Sequence, residues 1–434
     1  MVDRTRRNKL QASDKMKPNS HIKILMVVGA RPNFMKAAPI IRAIGKHNDL
    51  GKAPEIRHLL VHTGQHYDAI MSDRFFADLG LPKPDMHLGV GSGSHAEQTA
   101  EILKKFEAAL SQEQPDIVIV VGDVNSTLAC SLAAAKLPSA PHKSRPLIAH
   151  VEAGLRSFDR EMPEEINRVL TDHLADLLFV TEKAGLSNLR HEGISPEKIF
   201  FVGNTMIDSL LAFKEQAHQS QILDQLGLRA GEGRNGSGRP AKRYALLTLH
   251  RPSNVDECSS FQEVLEGLSD LTRRTEIIFP VHPRTRRRIE EFGFERYFRS
   301  VANQQADQRI QGIRLIDPLG YLDFVCLMKN AGLVLTDSGG IQEETTCLGV
   351  PCVTIRENTE RPVTVKHGTN VIAGTSSSGI RKAIARQMAR KVKPCVPEKW
   401  DGKAAQRIIP ILISSARKQF AACAVRAEAV SQPI

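Results

Sequence analysis

Short apolar runs recur along this chain, each about the length of a strand and each stopped by glycine or a polar residue. His21 to Gly29, Leu59 to His62, Ile117 to Val121, Ile148 to Val151, Leu177 to Val180 and Ile199 to Val202 form one series. Tyr244 to Leu249, Glu276 to Val281, Ile313 to Ile316, Leu333 to Thr336 and Cys352 to Ile355 form a second. Runs that are apolar on both faces and alternate with helical patterns belong in a parallel sheet covered by helices on each side. Two series therefore predict an α/β chain of two doubly wound domains. The length of 434 residues, too great for one ordinary core, agrees. The Gly/Pro-rich polar stretch Ala230 to Lys242 reads as a linker or loop, and places the boundary within 205–243. The expected domains are 21–205, joined by a C-terminal helix over 399–420, and 244–390.

The function classes narrow with the charge. The net charge is +11. Residues 1–20 carry six Lys/Arg and two Asp, and residues 381–434 carry twelve Lys/Arg and three acids. The ends hold +4 and +9, so the middle is 11 − 13 = −2. A basic excess confined to the ends, with 5% aromatic residues, favours solvated faces and a loose polar leader over a nucleic-acid surface. No apolar run approaches the roughly 20 residues of a membrane span, and the leader lacks a signal-peptide core. Seven cysteines without a C-x-x-C pair suggest reduced thiols in a cytoplasmic protein, and no zinc site.

In doubly wound sheets, ligands bind beyond the carboxyl ends of the strands. The suspicious residues stand there. The run Leu335-Thr-Asp-Ser-Gly-Gly-Ile-Gln-Glu-Glu344 passes from strand to helix through Ser338, Gly339 and Gly340. Such a turn suits a diphosphate, and equally an ordinary Ser/Asp helix cap. Glu344 follows in the first helical turns, within reach of a sugar hydroxyl. Asp123 ends an apolar strand, where it is either a functional carboxylate or the cap of a helix starting near Thr127. Glu152 lies in a half-buried run, where an unpaired carboxylate is costly. Glu164 and Arg168 follow Pro163 at i,i+4, an arrangement that also serves as a helix salt bridge. His250 and Arg251 follow a strand directly, as His282 does. Arg361 suits a diphosphate or carboxylate, or a surface pair with Glu360. No Walker A, H-E-x-x-H, G-x-S-x-G elbow or dinucleotide G-x-G-x-x-G appears in context.

Taken in order, these segments resemble the UDP-N-acetylglucosamine 2-epimerase family in its bacterial non-hydrolysing form. The matching motifs are Gly29-Ala-Arg-Pro with Lys36, Gly122-Asp123-Val-Asn-Ser-Thr, His150-Val-Glu-Ala-Gly-Leu-Arg156, Pro163-Glu-Glu-Ile-Asn-Arg168 and Gly203-Asn-Thr-Met-Ile-Asp208. They continue with Thr248-Leu-His-Arg251, Asp317-Pro-Leu-Gly-Tyr-Leu, Asp337-Ser-Gly-Gly-Ile-Gln-Glu-Glu344 and Glu360-Arg-Pro362. The resemblance spans about residues 22 to 410.

The resemblance implies two Rossmann-like domains in a GT-B-type arrangement, with UDP held mainly by the second. It implies that Ser338, Gly339, Gly340 and Glu344 hold diphosphate and ribose, that Arg31 and His250 touch the phosphates, and that Phe324 meets the uracil. Asp123, Glu152 and Glu164 match the family's catalytic carboxylates, with His250 beside them. Lys36, Arg168 and Arg361 match its supporting cations. Gln65 and His66 fall near residues used for activation by a second substrate molecule. The implied reaction interconverts UDP-N-acetylglucosamine and UDP-N-acetylmannosamine through loss of UDP to 2-acetamidoglucal, without NAD, metal or other cofactor. The implied assembly is a homodimer that takes a UDP-sugar, with neither nucleic acid nor membrane as partner. Alternatives are a 2-epimerase for a UDP-diacetamido-uronic acid, a hydrolysing epimerase, a GT-B glycosyltransferase and a nucleotide-sugar sensor.

Overall fold

The computed structural model describes residues 21–65, 78–137, 144–229, 244–298, 312–389 and 395–430. The polar leader, the whole 230–242 stretch and His66 lie outside them.

The first series of runs becomes β1 (His21–Val28), β2 (Glu55–His62), β3 (Met86–His87), β4 (Ile117–Val121), β5 (Leu147–Ala153), β6 (Leu177–Val180) and β7 (Ile199–Phe201). They pair in parallel in the order β3-β2-β1-β4-β5-β6-β7. Between them run α1 (Arg31–Asp49), α2 (His95–Glu113), α3 (Asn125–Lys136), α4 (Pro163–Leu174) and α5 (Lys183–His191), and α6 (Thr205–His218) follows. β4 is buried at every residue, as a strand covered on both faces must be. β3, two residues long, carries too little pattern to be seen in the sequence.

The second series gives β8 (Tyr244–Thr248), β9 (Glu276–Pro280), β10 (Ile313–Ile316), β11 (Leu333–Thr336), β12 (Cys352–Thr354) and β13 (Asn370–Ile372), ordered β10-β9-β8-β11-β12-β13. β13, which starts on a polar Asn, is the other strand that apolar runs did not reveal. Its longer helices are α7 (Cys258–Thr272), α8 (Pro283–Glu291), α9 (Tyr321–Asn330), α10 (Gly339–Leu348) and α11 (Ser377–Ala389). In each sheet the order reverses beside its first strand, between β1 and β4 and between β8 and β11. The strand ends flanking each reversal open a crevice that a neighbouring strand would otherwise fill.

α6 joins the halves. Ser209 Oγ donates to the Met35 carbonyl of α1 at 2.6 Å, while Met206 lies so close to Gly340 that a Cβ there would stand 2.9 Å from its sulfur. The chain returns to the first sheet through α12 (Ala404–Val430), which packs on α1 and α6. Asp208 accepts from the Ala404 and Ala405 amides at 3.1 and 2.8 Å and so caps α12, and buried Trp400 donates to the Thr181 carbonyl at 3.0 Å. α12 corrects one expectation. Its segment Ala404–Val425 is long and apolar enough to cross a membrane by length and composition, although no contiguous apolar run announced it. Its apolar face, Ala404, Ala405, Ile408, Ile409, Leu412 and Ala416, is buried in the core of the protein. α12 also starts later and ends later than the helix expected over 399–420.

Candidate active site

The first-domain side of the crevice is built from charges held by buried hydrogen bonds. Asn33, in the first turn of α1, accepts from the Gly29 and Ala30 amides at 3.0 Å each and donates to the Val121 carbonyl at 2.9 Å, tying the end of β1 to the end of β4. His150 on β5 donates from one ring nitrogen or the other to its two acceptors, the Gly122 carbonyl at 2.8 Å and Asp172 at 2.6 Å. Asp172, fully buried, also takes Arg156 at 2.8 Å and the Gly154 amide at 3.0 Å. Burial opposes its charge, but His150 and Arg156 outweigh burial and hold its carboxyl below the usual range. This group fixes the loops on either side of Glu152.

Glu152 sits where β5 slips register against β6, between Val151 and Ala153. Its φ is 77°, a conformation that costs a non-glycine residue about 1–3 kcal/mol and persists only where surroundings impose it. The bulge turns the carboxylate into the crevice. There it pairs with Lys36 of α1 and with Arg361 of the second domain. The expected cost of burying an unpaired carboxylate is thus avoided by cations from two domains. Lys36 in turn leaves no room at Gly122, whose φ is 70° and whose added Cβ would stand 2.9 Å from Nζ.

Asp123 is not a helix cap. α3 starts at Asn125 with Val124 at the cap position, and the Asp123 carboxylate pairs with Arg168. Burial resists its charge, yet Arg168, Lys36 and Arg361 together lower its pKa. Arg168 corrects a second expectation, since it bonds Glu165 at 2.8 and 3.0 Å rather than Glu164 four residues back. Glu165 also accepts from the Ser157 and Phe158 amides at 3.0 and 2.8 Å. Glu164 is thereby left facing the crevice, half-buried, close enough to His250 to favour the imidazolium.

The second-domain side uses backbone geometry. Asp337, fully buried at the end of β11, accepts from the His250 and Arg251 amides at 3.0 and 2.9 Å, from Asn254 at 3.1 Å and from His250 Nδ1 at 2.7 Å. Burial raises its pKa and these donors lower it further, leaving it at about 2. For His250, desolvation within the crevice disfavours the proton, but Asp337 and Glu164 outweigh this and raise its pKa. Its ring is 58% exposed. Ser338 occupies the cap position of α10 without a side-chain cap bond, so the first α10 amides are not capped by its hydroxyl. Glu344 is buried against Tyr321 Oη at 3.2 Å, and burial pushes its pKa up to about 8. Phe324 is partly buried beside this helix, against the core. His282 is accounted for as the cap of α8, accepting from the Arg284 amide at 3.3 Å.

Arg361 corrects a third expectation. It is no surface residue: at 4% exposure its guanidinium meets Glu152, Glu343 at 3.1 Å and Glu360. Glu360, also held by Arg356 at 2.8 Å, stays ionised against burial because Arg361, Arg356, Arg168 and Arg251 surround it. The two sides also touch through Asn358 and Asp159 at 3.3 Å, and Met162 meets Arg251 and Arg356. The described residues therefore bring Lys36, Asp123, Glu152, Glu164, Arg168, His250, Ser338, Gly339, Gly340 and Arg361 to one interdomain crevice. The Arg31 backbone starts α1 at its rim, and its side chain is outside the described set. Gln65 stands behind the crevice, accepting from the Ser126 amide and hydroxyl at 3.0 and 2.8 Å. Sequence reasoning missed Glu343, Glu182, Asp172 and Arg356. Their signal was a charged residue in an apolar setting, which a single sequence does not separate from a surface turn. Among the described residues no group of three His, Cys, Asp or Glu side chains is placed to hold a metal.

Two doubly wound domains facing each other across a crevice, with carboxylates on one wall and a glycine-led helix N-terminus on the other, define a GT-B-type nucleotide-sugar fold. Residues 48–413 match the family model described as UDP-N-acetylglucosamine 2-epimerase, and the chain belongs to that family. It is 42% identical over 398 residues to the UDP-N-acetylglucosamine 2-epimerase of Methanocaldococcus jannaschii, covering 90% of this chain and 99% of that one. It is 38% identical over 394 residues to the UDP-2,3-diacetamido-2,3-dideoxy-D-glucuronate 2-epimerase of Pseudomonas aeruginosa, covering 90% and 99%. The crystal structure of the M. jannaschii enzyme in complex with UDP-GlcNAc and UDP superposes with a TM-score of 0.77 at 40% identity, covering 91% of this chain and 100% of that one. The Neisseria meningitidis UDP-GlcNAc 2-epimerase bound to UDP-GlcNAc superposes with a TM-score of 0.73 at 28% identity, covering 91% and 100%.

Proposed function

We propose that this chain is a non-hydrolysing UDP-N-acetylglucosamine 2-epimerase, acting in the cytoplasm as a homodimer. The observation that carries the reading is the placement of Asp123, Glu152 and Glu164 across one crevice from His250 and the α10 N-terminus. C2 of an N-acetylhexosamine has no adjacent carbonyl to acidify its proton. Departure of UDP makes the ring oxocarbenium-like, and the C2–H bond then breaks to give 2-acetamidoglucal. Reprotonation of C2 on the opposite face, with UDP returning to C1, gives the manno epimer. Atoms balance with no redox step and no nicotinamide.

The residue types suit each part. Ser338, the Gly339 and Gly340 amides, His250 and Arg31 receive the diphosphate, whose charge grows as the C1–O bond breaks. Glu344 takes the ribose, and Phe324 borders the base. Asp123, Glu152 and Glu164 exchange protons with the sugar. Lys36, Arg168 and Arg361 hold those carboxylates in place and ionised. Gln65 and His66 serve a second, activating substrate molecule.

The test is proton NMR of the purified protein with UDP-N-acetylglucosamine in heavy water. UDP-N-acetylmannosamine carrying deuterium at C2 is expected. Free N-acetylmannosamine with UDP as main products would mean the hydrolysing reaction instead. The likeness to the P. aeruginosa enzyme supports a second reading, a UDP-diacetamido-uronic acid as substrate. Turnover of that sugar alone would select it.

A further inference from the structure

Glu182 and Glu343 are carboxylates that the proposed reaction does not use. Glu182 follows β6 in the first domain and is 2% exposed. Glu343 lies on α10 in the second domain and is fully buried. Neither oxygen of either residue has a hydrogen-bond partner of normal geometry among the described residues. Each faces the other domain. Glu343 forms an ion pair with Arg361 Nε at 3.1 Å and senses Glu152 and Lys36 of the opposite wall. Glu182 senses Glu343, Arg361 and Glu360 of the second domain, and the Val363 amide lies toward it.

The charges around them do not match. Among the described residues, Lys36 and Arg361 are the cations that face Glu152, Glu182 and Glu343, and Arg361 also serves Glu360. Farther out, Arg356 and Arg251 compensate Glu360, and Arg168 compensates Asp123 and Glu165. An ionised carboxylate without a cation is not retained away from water, and such a group takes up a proton instead.

We infer that Glu182 and Glu343 are positioning residues that form a proton-holding pair across the domain seam: one takes a proton from solvent as the crevice closes and returns it as the crevice opens. With that proton on a seam carboxylate, the Arg361 guanidinium stays protonated and remains available to Glu152 and Glu360. With both seam carboxylates ionised, Glu343 and Glu182 would compete for the same guanidinium. Glu152 would then be held by Lys36 alone. Burial and then repulsion by Glu343 push Glu182 up to about 8, and burial and then repulsion by Glu152 push Glu343 up to about 7, in agreement with the geometry.

The sign follows from the two states. A water-exposed carboxylate in the open crevice loses its proton near pH 4.3. The closed form therefore binds the extra proton between about pH 4.3 and the raised values, and closure weakens as pH rises through that window.

The inference rests on the nucleotide reading of the crevice, because UDP is the ligand expected to close it. The experiment is calorimetric titration of UDP into wild type, Glu182→Gln, Glu343→Gln and Glu182→Asp at pH 7.5, in two buffers of different ionisation enthalpy. The nucleotide's own titration cancels between proteins. Wild type and Glu182→Asp are expected to take up more protons on binding than either glutamine variant. Wild-type affinity is expected to fall with pH, by at most about tenfold per unit, more steeply than that of the variants. Equal uptake in all proteins that fold overturns the inference and leaves UDP binding standing. Absence of UDP binding by wild type overturns both readings.

Discussion

The two walls of the crevice sit at equivalent points of two similar sheets, yet they are made differently. On the first wall, Asp123 and Glu152 at the ends of β4 and β5 meet Arg168 of α4 and Lys36 of α1, side-chain charges held in pairs. On the second, the ends of β8 and β11 turn one buried carboxylate, Asp337, inward to fix backbone amides, and present a hydroxyl and a helix N-terminus outward. A wall of titratable side chains suits moving protons, and a wall of fixed dipoles suits holding an anion that does not change identity. Topology decides where a ligand sits, and the residues placed there decide which half of a reaction each domain serves.

This contrast breaks most easily at the charged wall. Asp123→Asn, Glu152→Gln and Glu164→Gln are each expected to lower kcat about 10²–10⁴-fold while UDP still binds, as steady-state rates and calorimetry would show. Full activity in all three would remove the assignment of proton transfer to this wall. Arg361→Ala leaves Glu152, Glu343 and Glu360 without their shared cation and is expected to cost about 3–5 kcal/mol in urea unfolding. A loss no larger than a surface substitution would mean that the seam is not held by this guanidinium.

The second wall sharpens the comparison through pH and through binding. Asp337, at about 2 in the folded chain, contributes about 2–3 kcal/mol above the unfolded value near pH 4. That contribution is lost as pH falls from about 4 through about 2, so Asp337→Asn should be less stable at neutral pH and flatter in acid. An unchanged acid profile in the variant would count against Asp337 as the organiser of this loop. The smallest effect is expected for Ser338→Ala, which removes about 1 kcal/mol of neutral hydrogen bonding and weakens UDP binding several-fold, with kcat nearly kept. Equal affinity by calorimetry would place the phosphates elsewhere.

Much of the architecture was legible because parallel strands buried on both faces must be short, apolar and bounded. Ile117–Val121, Leu177–Val180, Ile313–Ile316 and Leu333–Thr336 end where their apolar runs end. Met86–His87 was missed because a two-residue edge strand buries little, and Asn370–Ile372 because three residues opening on a polar Asn form no apolar run, although Asn370 and Val371 are buried. α12 was missed as a candidate span because Arg407 and Pro410 interrupt its apolar residues in sequence, while its helix gathers Ile408, Leu412 and Ala416 on one buried face.

The site divides along the same line. Sequence by itself determined the residue types at the strand ends, because the chemistry there needs a carboxylate, a cation or a glycine and little else will serve. Only the tertiary structure decided the pairings. Asp123 meets Arg168 across 45 positions and Glu152 meets Arg361 across 209. Local spacing instead suggested a helix cap for the first, an i,i+4 pair for Arg168 and a surface pair for Arg361. The physical reason is the cost of burying charge. Once two domains close over these side chains, each must take whichever opposite charge the fold brings within reach. Sequence distance plays no part in that choice.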